Sequence, residues 1–375
     1  AAAAGGAAGA RRRGLRAVRR LLPCVLAGLL AACDAGGGPT LSGHAPLPDR
    51  LSELGVLRIE ADRLVPVAGI AYDLGAPLFS DYAWKYRTVH LPPGAAAGSR
   101  GAHRTLAFPV GTVLTKTFLY PEAGGRVRLV AAPGLAAVDA PLDRRGRRLL
   151  ETRVLRHRPD GWEAVSYLWR ADGTDAERAR AGALLALDTA QGVSFDYLVP
   201  DANQCAGCHE TTHGTRQLQP IGPKPGNLAA VSFAGTDQYG HWQARGLVAD
   251  ADPVTPWAVG GVEGVRAYLD ANCAHCHSDT GAADTAGIDL RVDAPLRALG
   301  LCKPPVAAGR GSGGFRFDVT PGHADASILV HRLASTDPGV MMPELGRTLV
   351  HADGLARVRA WIDDLEGDCG GATVL

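Results

Sequence analysis

The sequence predicts an α+β multidomain chain, with a β-rich, sandwich-like body over residues 49 to 197 and a mainly α region over 198 to 369. Three observations predict it. The 375 residues include 48 Gly and 25 Pro, a composition that favours strands, turns and loops over long helices. Between Asp49 and Tyr197 the apolar residues hold no sustained helical period. Beyond that stretch two segments do hold one: Val262, Val265 and Leu269, then Leu355, Val358, Ile362 and Leu365. At roughly 150 residues per domain the length suits two or three domains.

Lys and Arg number 39 against 38 Asp and Glu, so the charge balance makes no case for a nucleic-acid partner. A hydrophobic content of 46% with 21% charged residues excludes global disorder.

The elements can be taken in order. Six arginines fall between Arg11 and Arg20, followed by an apolar stretch from Leu21 to Leu30 and then Ala31-Ala32-Cys33. A basic segment, an apolar core and small residues before a cleavage point describe a secretory signal over residues 1 to 32. The apolar stretch is about half of what a bilayer-spanning helix needs. Its end resembles a bacterial lipobox, in which Cys33 would carry the lipid; the alternative is an ordinary signal with an incidental cysteine. Cleavage there removes six Arg and no acid, turning 39 against 38 into 33 against 38. Residues 33 to 48 read as a flexible tether. The expected location is the bacterial periplasm, with the lipid anchor in the inner or outer membrane.

Within the body, Val113 to Tyr120 (VLTKTFLY) has strand composition. Leu150 to Arg156 and Trp162 to Arg170 flank His157-Arg-Pro-Asp-Gly161 as a hairpin. Thr174-x-x-Glu177 reads as the capping box of one short helix. Phe79, Tyr82, Trp84 and Tyr86 are either core or a binding surface. No carboxylate pair, nucleophile triad or phosphate loop emerges.

The cysteines carry the chemistry. Four of the eight lie in Cys205-Ala-Gly-Cys208-His209 and Cys273-Ala-His-Cys276-His277. C-x-x-C-H is the attachment signature of c-type haem. Two thiols three positions apart can add to the two vinyl groups of one porphyrin, and the next residue donates an imidazole to iron. Cys205 and Cys208 with His209, and Cys273 and Cys276 with His277, therefore predict two covalent haems, in segments 198 to 260 and 261 to 369. A zinc shared by thiol pairs 68 residues apart would leave both histidines unexplained. A thioredoxin-like motif needs a βαβ context that the flanks do not supply.

For the second haem, a helix leading into the motif and a helix near the end, with Asp353 as cap and Gly367 as stop, resemble a class I cytochrome c fold. Val340-Met-Met-Pro-Glu-Leu-Gly346 resembles its distal loop. Met342, directly before Pro343, is therefore paired with His277, since a thioether favours ferrous iron. The alternative makes both methionines core filler. For the first haem, Ile221-Gly222-Pro223-Lys224 resembles a Gly-Pro turn whose carbonyl fixes the proximal ring, which assigns that role to Pro223. No Met is left for its sixth position. His213 lies too near His209 to reach the opposite face. His241 is the first choice, with His323, His331, His351 or an open position as alternatives. Cys302 and Cys369 remain, as a disulfide or as two separate thiols.

PLFSDYAWKYR (77 to 87), FPVGTVLTKTF (108 to 118), ETRVL (151 to 155), GWEAVSYLW (161 to 169), VPDANQCAGCH (199 to 209), NCAHCH (272 to 277) and MMPELG (341 to 346) together resemble a family of bacterial two-haem c-type cytochrome lipoproteins. The resemblance implies electron transfer with a redox protein partner, often a neighbouring protein of parallel β-helix type. Three functions follow from the sequence: an electron carrier, a peroxidase-like enzyme with an open first haem, or a ligand-binding lipoprotein whose haems sense redox state.

Overall fold

Val113–Ala123 is buried along nearly its whole length, side chains of both parities included, so the sheet built around it must be covered on both faces. The computed structural model describes residues 45–370 apart from 136, 138, 234, 250 and 251. The signal segment 1 to 32 and the lipid-anchor cysteine Cys33 lie outside the described residues. Among the described residues no helix is long and apolar enough to cross a membrane.

The strands in chain order are β1 (Leu57–Ile59), β2 (Arg63–Pro66), β3 (Ile70–Tyr72), β4 (Trp84–His90), β5 (Val113–Ala123), β6 (Arg126–Val127) and β7 (Leu142–Asp143). They continue with β8 (Arg147–Arg158), β9 (Gly161–Trp169), β10 (Ala176–Arg178), β11 (Ala183–Asp188), β12 (Ser194–Val199), β13 (Ser232–Phe233) and β14 (Thr236–Asp237). The main sheet is antiparallel, in the order β10-β9-β8-β5-β4-β3, with β6 paired to the end of β5. β1-β2-β7 form a second sheet, and β11-β12 and β13-β14 are two-stranded. The expected hairpin is β8–β9, closing where Arg158 faces Gly161. Thr174 and Glu177 cap no helix. Thr174 bonds to Asp172, and Glu177 sits in β10, an edge strand.

The fold differs from the expected class in two respects. The body is no sandwich of two matched sheets; one large sheet carries small companions. The small sheet supplies Leu57, Leu64 and Leu142 to a core shared with Tyr86, Val113, Val154 and Tyr167. The region from 198 to 369 is not mainly α and has no class I cytochrome c frame. Its helices are α1 (Ala202–His209), α2 (Pro225–Ala229), α3 (Gln238–Ala244), α4 (Val265–Asn272), α5 (Ile328–Ala334) and α6 (Ala352–Asp363). The shortest has 5 residues and the longest 12. Helices this short are marginal alone and persist through packing. The two periodic segments do form α4 and α6, whose Val265, Leu269, Val358 and Ile362 share one core. Between α4 and α5 the Gly- and Pro-rich chain makes turns, single 3-10 turns and isolated bridges such as Leu301 with Val319.

Helices of the later region also close one side of the main sheet. Leu228, Tyr239 and Trp242 of α2 and α3 pack with Ile70, Tyr72, Val89 and Leu114. Cys302 and Cys369 are joined, with a Cα separation of 5.2 Å.

His90 at the end of β4 is fully buried. Its Nδ1 donates to the Val67 carbonyl at 3.0 Å and its Nε2 accepts from Thr88 Oγ1 at 2.7 Å. Gly69 is required beside it, because a Cβ there would stand 2.2 Å from the ring. Burial pushes the His90 imidazole down to about 4. An unfolded histidine titrates near 6.5, so between the two values the unfolded chain binds more protons and stability is lost as the pH falls. A shift of this size corresponds to about 3 kcal/mol. His90→Phe should flatten the loss of stability between pH 6.5 and pH 4, read by urea unfolding; an unchanged slope would contradict the assignment.

Candidate functional site

The first C-x-x-C-H motif is the body of α1. Asp201 accepts from the Gln204 backbone N–H at 2.8 Å and Gln204 Oε1 accepts from the Asp201 N–H at 3.1 Å. This reciprocal capping box starts the helix one turn ahead of Cys205. The helix sets Cys208 one turn beyond Cys205, with His209 at its end. His209 Nδ1 donates to the Gln219 carbonyl at 2.8 Å, and Gln219 N–H donates back to the His209 carbonyl at 2.7 Å. That leaves Nε2 free to coordinate a metal. Pro223 does not hold the ring as expected: its carbonyl accepts from Leu106 N–H at 3.1 Å. The turn at 221 to 224 instead lines the cavity beside His209.

Two connected hollows, of about 70 and 110 Å³, adjoin this motif and share Leu78, Lys116, Arg153, Cys205, His209 and Ile221. The second motif begins at the end of α4, where Cys273 N–H still bonds to Leu269, and continues in turns. Its cavity holds about 520 Å³ and is lined by Cys273, Cys276, His277 and Met342 among others. Met341 is buried and lines none of the three hollows, so the neighbouring methionines are separated by role.

Arg347, which sequence reasoning missed, fixes the Met342 loop. Its guanidinium is buried and donates to the carbonyls of Met342, Arg332, Leu333, Ser335 and Leu349, the shortest contact being 2.8 Å to Met342. Asp81, from the β-rich body, accepts from the Thr348 and Leu349 N–H groups at 2.8 and 2.7 Å. Burial pushes the Asp81 carboxyl up, against these bonds.

The two motifs meet. Cys208, Asn272, His275, Leu333, Pro343 and Leu345 line both the first hollow and the large cavity. Cys276 Sγ lies 3.7 Å from the Gly207 carbonyl, and His213 N–H donates to Thr280 at 2.7 Å. His241 is not brought to either site; it sits on α3, its Nε2 buried without a partner, and lines none of these hollows. His323 and His331 also line none of them. His351 and His275 do line the first hollow. The His351 ring stacks on Phe79 at 4.2 Å, and its Nδ1 meets Tyr268 Oη at 3.3 Å. His275 has a buried Nδ1 without a partner.

Burial lowers His209, His277 and His351 to about 4, so each imidazole is neutral, the form that coordinates metal. Burial likewise raises Cys205 and Cys208, and takes Cys273 and Cys276 up to about 12. None of these four is in a disulfide.

The donor sets of both motifs fit a covalently held haem, and the second motif's cavity also fits one in volume, whereas the first motif's two hollows of about 70 and 110 Å³ are smaller than such a group. Porphyrin iron brings four nitrogens of its own and asks the protein for one or two axial donors. One imidazole with a thioether lining the same cavity, or with a second imidazole, is that set. The large cavity falls in the ~300–1,000 Å³ range of cofactor pockets. The His277 Nδ1 is buried without a protein partner. Among the described residues no three His, Cys, Asp or Glu side chains converge to hold a metal ion by themselves. No family model, curated protein or solved structure matches this chain.

Proposed function

We propose that the protein is a two-haem c-type cytochrome that transfers electrons in the bacterial cell envelope, tethered through Cys33 and delivering to a redox protein partner. The observation that carries this reading is the shared wall. Two complete C-x-x-C-H motifs, 68 residues apart, meet at adjoining cavities, each with a neutral imidazole following its thiols. When bound, the haems supply one-electron chemistry. The chain's own part is to attach each cofactor by two thiols, to present one nitrogen to its iron, and to exclude water by burial. His209 is oriented by Gln219, and Met342 by the carbonyl cage of Arg347. A thioether at the second site raises its potential above that of a bis-imidazole first site. Electrons entering at the first site would run downhill to the second.

Of the two imidazoles that line the first hollow besides His209, His351 has the support expected of a ligand, because its ring is clamped and its Nδ1 is held. With His209, His351 would hold the first iron. The covalent load decides the main reading: a pyridine haemochrome assay should give two haems per chain, and one or none would refute it. The ligand pairs have their own test. His351→Ala should open the first site to carbon monoxide in the reduced protein, while Met342→Ala, but not Met341→Ala, abolishes the sulfur-to-iron absorption band. Carbon monoxide binding unchanged by His351→Ala, or a band lost with Met341, would overturn these assignments.

A further inference from the structure

Helix α4 leads into the second motif and ends at Cys273, yet two of its side chains face the first. Tyr268 and Asn272 both line the hollow that holds Cys205, Cys208 and His209. Tyr268 is buried, and its hydroxyl meets His351 Nδ1 at 3.3 Å, its one hydrogen bond among the described residues. Asn272 is buried too; it accepts from the Phe79 N–H at 2.7 Å, and its amide donates to the Tyr268 carbonyl at 2.9 Å. Phe79 is the ring on which His351 stacks, with the two planes 8° apart. The chain on either side of His351 is tied as well. Tyr82 Oη donates to the Val350 carbonyl at 3.1 Å and accepts from the Ala352 N–H at 3.0 Å.

Gly354 keeps room for the Tyr268–His351 pair. A Cβ there would stand 2.5 Å from Tyr268 Oη and Cζ and 2.6 Å from His351 Nδ1. The residue lies within α6, where alanine is the better helix former, so the space and not the backbone calls for glycine. A neutral imidazole carries one N–H, and Nε2 can coordinate only when that hydrogen is on Nδ1. The Tyr268 oxygen is then the acceptor that selects this tautomer, and an acceptor at Nδ1–H makes the ring a stronger donor to iron. We infer, on the two-haem reading above, that Tyr268 is a positioning residue of the first centre, supplied by the second motif's own helix. It fixes the tautomer and orientation of His351, with Asn272 seating Phe79 beneath the ring. The two attachment sites are therefore not independent units.

Tyr268→Phe and Gly354→Ala in the full, haem-loaded chain test this. The Phe variant keeps the ring and its packing and deletes only the acceptor. It should raise the carbon monoxide affinity of the reduced first centre about tenfold, the size of effect expected when such a partner of a metal-bound imidazole is removed. Its first midpoint should rise, by about a threefold shift of the one-electron equilibrium toward the reduced state, because a less basic imidazole favours ferrous iron. Gly354→Ala, which forces the pair apart from the other side, should move both in the same direction. The second centre's thioether band should stay in place in either variant. A tyrosine that only packs predicts a Phe variant like wild type. Two haems per chain with an unmoved carbon monoxide affinity in Tyr268→Phe, or a first midpoint that falls, overturns the inference and leaves the two-haem reading intact. Should Gly354→Ala fail to fold, the Phe variant decides alone. A first site that stays closed to carbon monoxide in His351→Ala overturns the inference together with that ligand assignment. A wild-type protein without two covalent haems refutes the two-haem reading itself.

Discussion

Arg347→Met is expected to destabilise the protein by about 3 kcal/mol and, on the proposed two-haem reading, to abolish the thioether band of the second centre while both haems stay attached. The guanidinium is 6% exposed and is surrounded by backbone carbonyls from three stretches of chain: Arg332 to Ser335, Met342 and Leu349. Methionine approximates its volume but offers no donor. Five carbonyls would lose their shared partner, and each buried acceptor left unpaired costs about 1–3 kcal/mol, partly offset because a charge no longer has to be buried. The Met342 carbonyl takes two of the bonds, at 2.8 and 3.1 Å, so the proposed ligand residue is the one set loose. Urea unfolding and the visible spectrum read the two effects separately. A variant within about 1 kcal/mol of wild type and with its band intact would show that the cage positions nothing.

Replacing Cys302 and Cys369 together by Ala should cost about 4 kcal/mol. The bridge closes a loop of 67 residues in the unfolded chain, and the chain-entropy relation gives that value for such a loop. It ties the chain beyond α6 to the turn after the 3-10 segment at Leu296–Leu299, across the region that encloses the second motif. Chemical unfolding with and without a thiol reductant provides the control. Reductant should lower the wild-type midpoint and leave that of the double variant unmoved. A loss below about 1 kcal/mol in the double variant would mean that the unfolded chain is already restrained there.

What could be read from the sequence was chemistry that imposes a spacing. Cys205-x-x-Cys208-His209 has the short spacing that matching one porphyrin edge would require, and the β8–β9 hairpin announces itself through Pro159-Asp160 between apolar runs. The Asp201-x-x-Gln204 box is equally legible and does cap a helix, whereas at Thr174-x-x-Glu177 strand pairing with β9 overrides the local capping signal. The mainly α reading failed because two true amphipathic segments were extended over Gly- and Pro-rich chain that cannot continue them. Pro223 and His241 failed for another reason. Which carbonyl meets His209 and which imidazole enters a hollow depend on contacts between distant segments. Gln219 and His351 carry no local mark of those roles. Lys116 lies in a strand whose alternation is hidden by burial on both faces, so its inward direction became visible only with the sheet assembled.

The bond from Asp81 to Thr348 and Leu349 spans more than 260 residues and bears on how the gene can be cut. A fragment ending near residue 200 would expose the sheet face carrying Lys116 and Arg153 and strip Asp81 of its partners. The complementary fragment would lose Phe79 beneath His351 and the Tyr82 hydroxyl that bonds at both Val350 and Ala352. Neither piece is a module that could be borrowed, swapped or expressed alone. The β-rich part is less a docking accessory added to a cytochrome than one half of the mould in which the first cofactor would be cast. Insertions should therefore be tolerated only at turn tips such as Gly124-Gly125, whose glycines meet nothing within 4 Å.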